Sequence, residues 1–433
     1  MIAMKKLLFI SIGVILAAYL ELLTLSFAEV GQTQDLRNLS AKENLPSFLS
    51  QLPEATNLGI VQANNRFSFK IFSELFQQQP NQNIAISPTS LAIALAMTYN
   101  GASGKTQQAM SKTLELEGIS LEEVNQANAA LKDSWRNLDP EVQLSIANSL
   151  WIRQGMSFNL DFLQRVREAY AAQIDTLDFK DPSVPSLINK WVRQNTNGKI
   201  DVIVDTLDPD SAVLIFNAIY FKGKWKIPFP KDQSQDLPFH LLNGTQKQHP
   251  MMSSRKDDYP YYENDLFQSV SLPYGNGRLS MYVFLPKLGI SLEDFHRQLN
   301  SKTWEQWMTH FKLKEGVIQL PRFKFDYEIT LNDTLKALGM GVAFDRNLAD
   351  FSGMIAAAVE PYTNKFSIDQ VKQKIFIEVN EEGTEAAAVT GVMTLYSLNL
   401  DTFHMVVDRP FFFAIRDNQT GTILFMGSIL EPK

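Results

Sequence analysis

A chain of 433 residues with 45% hydrophobic composition can build a large core, and its length admits more than one domain. Its formal charge of −7 comes from acids and bases mixed along the sequence, without the basic stripe of a nucleic-acid binder, so nucleic acid is excluded as an expected partner. There is no cysteine, which excludes disulfides, thiolate metal sites, a lipid-modified cysteine and a thiol nucleophile.

The first 28 residues read as an export signal. Lys5 and Lys6 form a charged start, Leu7 to Leu20 an apolar stretch, and Ser26-Phe27-Ala28 a small-x-small cleavage pattern. Cleavage there starts the mature chain near Glu29 and leaves a protein with no membrane attachment, secreted to the extracellular space or to a periplasm. An uncleaved anchor is the alternative, because the span from Leu7 to Ala28 is about 22 residues, although Glu21 interrupts it. Residues 29–57 are polar, with Gly31, Pro46 and Pro53, and read as a flexible arm. One domain is expected over 58–433, its first helical spacing marked by Phe67, Ile71 and Leu75.

Ser87-Pro88 predicts a helix start, and the run Leu91 to Tyr99 ends at Gly101, expected to be a left-handed terminator. The segment Gly101-Ala102-Ser103-Gly104-Lys105-Thr106 is not a phosphate loop, since Tyr99 stands where that motif needs its first glycine; it reads as a helix end followed by a polar turn. The helix-like stretch from Ser111 to Leu138 scatters its positive charge and gives no support to a heparin-type site. Asn159 is expected to cap a helix that aligns Leu163, Val166 and Tyr170. Ala212 to Phe221 is almost wholly apolar and reads as a strand buried on both faces. Strands are also expected over Leu279 to Leu285, Ile375 to Val379, and Phe411 to Ile415 with Thr422 to Ile429. The fold class is therefore α+β.

Candidate chemistry is sparse. His240, His249, His296, His310 and His404 include no i, i+4 pair, and there is no Gly-x-Ser-x-Gly elbow. Neither a metal, a cofactor nor an enzymatic activity is expected. Met251-Met252 and Tyr259 to Tyr262 read as packing. Residues 380–401 are different, because a connection of about twenty residues inside a compact domain is uncommon and usually functional. At a period of two, Thr384, Ala386, Ala388 and Thr390 make one face wholly of small residues, able to enter a sheet without clash, while Glu385 on the other face stays in solvent.

From about Asn64 to Lys433 the sequence resembles the serpin family. The resemblance rests on Glu381-Glu382-Gly383-Thr384-Glu385-Ala386-Ala387-Ala388, which is similar to the hinge of inhibitory members. It rests also on Asn83 to Ser90, Asn217 with Phe221-Lys222-Gly223-Lys224-Trp225, Pro250-Met251-Met252, Leu320-Pro321-Arg322-Phe323, Arg409-Pro410-Phe411 and Phe425-Met426-Gly427.

The resemblance implies three sheets, about nine helices and an exposed reactive-centre loop over about 381–401. It implies an irreversible inhibitor that forms an acyl-enzyme with a target serine protease, in a covalent complex, and inserts its hinge into the central sheet. The alternative is a non-inhibitory member acting as a binding or chaperone module; the small residues at 384, 386 and 388 speak for insertion. The protein is expected to act as a monomer. Ser87, Ser90, Asn217 and Gln373 match the shutter beneath the opening sheet, and Trp225 the breach where insertion starts. The family usually has histidine where Gln373 stands. Counting from the hinge places the scissile bond at Ser397-Leu398, and counting back from Pro410 at Asn399-Leu400. Tyr396, Leu398 and Leu395 suit chymotrypsin-like or subtilisin-like pockets and Ser397 an elastase-like one. No Arg or Lys lies between Glu381 and Asp401, which disfavours a trypsin-like target.

Overall fold

The structure is a computed structural model that describes residues 58–136, 138–358, 366–383 and 402–433. The expected signal segment and arm (1–57) lie outside the described residues. So do Thr384, Glu385, Ala386, Ala387, Ala388, Tyr396, Ser397, Leu398, Asn399 and Leu400.

Helix α1 (Leu58–Gln78) buries Phe67, Ile71 and Leu75, the stripe its spacing predicts. Strand β1 (Ile84–Ile86) leads into α2 (Pro88–Tyr99), which is buried on every side. The helix starts at Ser87-Pro88 as expected, with Ser87 in the N-cap position, although its hydroxyl makes no capping bond and donates to the Leu424 carbonyl at 2.6 Å. The expectation at the other end of α2 is corrected. Gly101 does not have a left-handed backbone; a Cβ there would sit 2.6 Å from Met354 Cβ, so close packing demands the glycine. The polar turn after α2 is confined to 101–103, because α3 (Gly104–Thr113) starts at once. The helix-like stretch over 111–138 is also divided, and Ser120 and Glu123 form a reciprocal capping box that restarts the chain as α4 (Leu121–Ser134).

Next come β2 (Val142–Arg153), β3 (Met156–Phe158), α5 (Leu160–Tyr170), β4 (Gln173–Leu177), α6 (Val184–Asn195) and β5 (Val213–Gly223). Asn159 caps α5 as expected, accepting from the Asp161 amide at 2.9 Å. β5 is buried along nearly its whole length, as its almost wholly apolar run predicts. Strands β6 (Gln235–His240), β7 (Gln246–Ser253), β8 (Asp257–Glu263), β9 (Phe267–Pro273) and β10 (Leu279–Pro286) precede helices α7 (Leu292–Gln298) and α8 (Ser301–Met308). The chain closes with β11 (Lys312–Pro321), β12 (Phe323–Thr330), α9 (Asn332–Leu335), β13 (Ile355–Ala358), β14 (Ile368–Val379), β15 (Phe403–Val406), β16 (Phe411–Asp417) and β17 (Ile423–Ile429).

The described residues thus contain nine α-helices and three sheets, the α+β architecture the resemblance implies. Ten strands form the largest sheet, β13 pairs with β3 in the smallest, and five strands run β12-β14-β5-β2-β4. One large core lies between the two major sheets, around α1 and α2. A second, on the other face of the five-stranded sheet, packs Val184, Ile188 and Val192 of α6 against Trp151, Phe216 and Tyr220. These three α6 positions recur every four residues, which gives the helix one apolar stripe to lay across the strands.

Candidate functional site

The five-stranded sheet holds two parallel contacts, β2 with β4 and β14 with β5, and the second lies beside the hinge. β14 and β5 run side by side in the same direction, from Ile368 opposite Val213 to Ile377 opposite Phe221. Their outer partners, β12 and β2, are antiparallel to them. β14 extends seven residues further back than its apolar pattern predicts. The alternation is hidden by Gln373, which occupies an inward position between Val371 and Ile375 and is fully buried.

At that level three amide side chains stand in register across β2, β5 and β14: Asn148 opposite Asn217, and Asn217 opposite Gln373. Asn217 donates through Nδ2 to Asn148 Oδ1 at 2.5 Å and to Ser90 Oγ at 2.6 Å. Gln373 donates through Nε2 to Asn217 Oδ1 and, at 2.9 Å, to the Ser87 carbonyl, and its Oε1 accepts from the Ser87 amide at 2.8 Å. The structure therefore brings together all four residues matched to the shutter, at the start of α2 beneath the sheet. None of their amide hydrogens is wasted, which matters because an unpaired polar group at this depth costs roughly 1–3 kcal/mol.

Two further clasps hold the same pair of strands. At one end Asp369 accepts from the Ala212 and Val213 amides at 2.5 and 3.1 Å, tying β14 to β5, and from Arg346 Nη2 at 2.9 Å. At the other end lies the described part of the hinge, Glu381 to Gly383. The Trp225 amide donates to the Glu382 carbonyl at 2.9 Å, its indole Nε1 donates to the Asn380 carbonyl at 2.9 Å, and the Phe229 amide donates to the Glu381 carbonyl at 2.8 Å. Trp225 is itself fixed by stacking on Tyr274, with ring centroids 4.3 Å apart. Gly383 has φ +129°, and a Cβ there would fall 2.1 Å from the Gly223 carbonyl oxygen. Only glycine lets the hinge backbone lie this close to the end of β5.

Electrostatics secures the hinge as well. Glu381 is almost wholly buried; its carboxylate accepts from Arg322 Nε at 2.8 Å, from Arg322 Nη2 and from the Ser234 hydroxyl. Burial pushes the carboxyl upward, but the Arg322 and Ser234 bonds outweigh it and hold the group below the usual carboxylate range. Lys231 pairs with Glu382 beside it.

Asn148, Asp369 and Ser234 are absent from the sequence-derived site. Asp369 carries no local signal, since its partners lie 23, 156 and 157 positions away. Asn148 has one, because a lone amide among the apolar residues Leu144, Ile146 and Leu150 marks a strand position needing a cross-strand partner.

The sheet is thus clasped at three levels between two parallel strands, and a long connection follows the end of one of them. A family model described as "Serpin (serine protease inhibitor)" matches residues 62–432. The chain is 35% identical over 395 residues to an uncharacterized serpin-like protein of Thermococcus kodakarensis, covering 88% of each chain. It is 34% identical over 381 residues to the leukocyte elastase inhibitor of Homo sapiens, covering 86% of this chain and 98% of that one. The native-state crystal structure of the thermophilic serpin Tengpin superposes with a TM-score of 0.80 at 32% identity, covering 86% of this chain and 94% of that one. The chain belongs to the serpin family.

Proposed function

We propose that this chain is a secreted, single-use inhibitor of serine proteases, which traps its target as an acyl-enzyme and takes its cleaved loop into the five-stranded sheet. The observation that carries this reading is the parallel pairing of β5 and β14 beside the hinge. A segment leaving the end of β14 at Gly383 and turning back between the two strands runs antiparallel to both. One parallel pairing is then replaced by two antiparallel ones, which are slightly more stable per residue. About a dozen added ladder bonds at ~1 kcal/mol each give on the order of ten kcal/mol, comparable to the whole stability of an ordinary domain.

The chemistry belongs to the protease. Its serine oxygen attacks the carbonyl carbon of Ser397, or of Asn399 in the longer count; the peptide bond breaks, an ester forms, and the proton passes to the departing amine of Leu398 or Leu400. Insertion of the freed segment then carries the esterified protease away from the hinge before water reaches the ester. With no basic residue in the loop, the targets are chymotrypsin-, elastase- or subtilisin-like. The basic start and small-x-small pattern of residues 1–28 support export, and the inhibitor acts as a monomer.

The experiment is Thr384→Arg, assayed beside the unaltered protein for the moles consumed per mole of protease inhibited. A guanidinium on the inserting face has to be desolvated in the sheet. The variant is expected to be cleaved as a substrate; undiminished inhibition would refute insertion.

A further inference from the structure

Asp369 is the extra residue of a β-bulge. The register of β14 slips between Ile368, opposite Val213, and Gln370, opposite Leu214, so Asp369 has no partner of its own on β5. Its carboxylate turns into the boundary instead and takes the Ala212 and Val213 amides, so a side chain closes this end of the β5–β14 pairing. On its other side the bulge is fixed by Asn332, whose Nδ2 donates to the Asp369 carbonyl at 2.6 Å and whose Oδ1 accepts from the Val371 amide at 2.9 Å. Arg346 locks the carboxylate: one nitrogen, Nη2, donates both to Asp369 at 2.9 Å and to the Asp210 carbonyl, across the boundary, at 3.2 Å. The carboxylate is 12% exposed and Arg346 44%, so the pair opens toward solvent without stranding a charge in the core.

This clasp lies in the path of a segment entering from the hinge end. Lys224 and Gly383 already face each other as an antiparallel bridge. Val213 stands eleven positions before Lys224, so a segment that continues this pairing brings residue 394 level with Val213 and Leu395 level with Ala212. Ser397 and Asn399, the alternative acylated residues, lie beyond that level. The esterified carbonyl therefore passes the end of β5 only after Asp369 has given up both amides. We propose that Asp369, locked by Arg346, is the positioning residue that governs the last stage of strand entry: the segment pauses level with Val213 and completes its travel when the carboxylate swings out toward solvent. The proposal rests on the inhibitory reading given above. Hydrogen bonds to a carboxylate are roughly twice as strong as neutral ones, so these two amides are slower to release than those of the ladder between them and the hinge. Because water competes for the ester until travel ends, the length of the pause sets the share of protease that escapes.

The test mixes the full chain with an excess of whichever of chymotrypsin, elastase and subtilisin cuts its loop fastest, and follows the freed segment by pulse-labelled hydrogen exchange. In the unaltered protein the amides of 393–396 are expected to gain protection after those of 386–388. Asp369→Ala is expected to shorten that lag at least fivefold, and Arg346→Gln at least twofold, because a carboxylate that has lost its partner leaves for solvent more readily. Arg346 is largely exposed, so its variant is expected to fold even where the first does not. Before cutting, both variants are expected to speed exchange of the Ala212 and Val213 amides and to leave those from Ile215 to Ile219 unchanged, which a general loosening of the sheet would not do. No protection of the segment in the unaltered protein would defeat the inhibitory reading and the latch together. Simultaneous protection of both ends, an unchanged lag in both variants, or uncut variants that loosen equally along β5 would overturn the latch alone.

Discussion

Gln373 on β14 donates to Asn217 on β5, and this side-chain bond spans the boundary that a new strand has to enter in the proposed mechanism. The same amide grips the backbone of Ser87 as both donor and acceptor, so β14 is fastened to the start of α2 as well. A neutral imidazole offers one donor and one acceptor, whereas the Gln373 amide supplies two donated bonds and one accepted bond here.

Gln373→His is therefore expected to loosen the closed sheet at neutral pH by about 1 kcal/mol, the worth of one lost hydrogen bond. Below about pH 6.5 the gap widens, because a buried imidazole is penalised for taking up a proton. Thermal unfolding at pH 7.5 and 5.5, compared between the variant and the unaltered chain, checks both effects. Identical curves at both values would show that the third bond carries no weight.

The hinge gives a second test. Glu381→Gln keeps the shape of the side chain but removes the charge that Arg322 and Ser234 address, and is expected to cost about 1–2 kcal/mol, moderated because Arg322 is half exposed. The carboxyl sits below its ordinary value in the folded protein, so its contribution is complete above about pH 4.5 and disappears as the pH falls through the folded value. Limited proteolysis near residue 383 is expected to accelerate in the variant at pH 7, and the difference between the two proteins is expected to vanish in strong acid.

Gly383→Ala tests the close approach itself. A Cβ at 2.1 Å from the Gly223 carbonyl cannot be accommodated, so the hinge has to leave its bonds to Trp225. The expected readout is a change in Trp225 fluorescence together with faster exchange of the Trp225 and Phe229 amides. An unchanged spectrum and unchanged exchange would mean that the backbone there relaxes without losing its contacts.

His296 provides an acid-sensitive element far from the hinge. It is packed against Phe72, Phe76, Phe295 and Phe412, with Nε2 2.8 Å from the Ser428 hydroxyl, and burial pushes its pKa down to about 3. The unfolded chain takes up this proton near pH 6.5 and the folded one only near 3, so stability is whole above 6.5 and falls as the pH drops between those values. The span corresponds to at most about 5 kcal/mol at 1.36 kcal/mol per unit. His296→Gln is expected to flatten the acid limb of a stability-against-pH curve; an unaltered limb would assign the loss to other groups.

Much of this architecture was legible in the residues. The almost wholly apolar run 212–221 reads as a buried strand, and the spacing after Asn159 as a capped helix. The shutter was legible through resemblance, because Ser87, Ser90, Asn217 and Gln373 lie too far apart for any local pattern to join them. Asp369 and Asn148 were not legible as members of the site. The first uses a carboxylate to replace missing strand partners, and the second only gains a role once β2 and β5 are in register. The end of α2 misled for a related reason: Gly101 looks like a left-handed cap, but it is required by its close approach to Met354; Ser87 does start the helix, yet its hydroxyl bonds across the fold to Leu424.

The most direct measurement is to incubate the mature protein with chymotrypsin, elastase, subtilisin and trypsin, run a denaturing gel, and weigh the released C-terminal peptide. The expected result is a complex that survives denaturation with at least one of the first three, none with trypsin, and a peptide beginning at Leu398 or Leu400. Clean cleavage of the loop by all four, with no covalent complex, would contradict trapping by loop insertion.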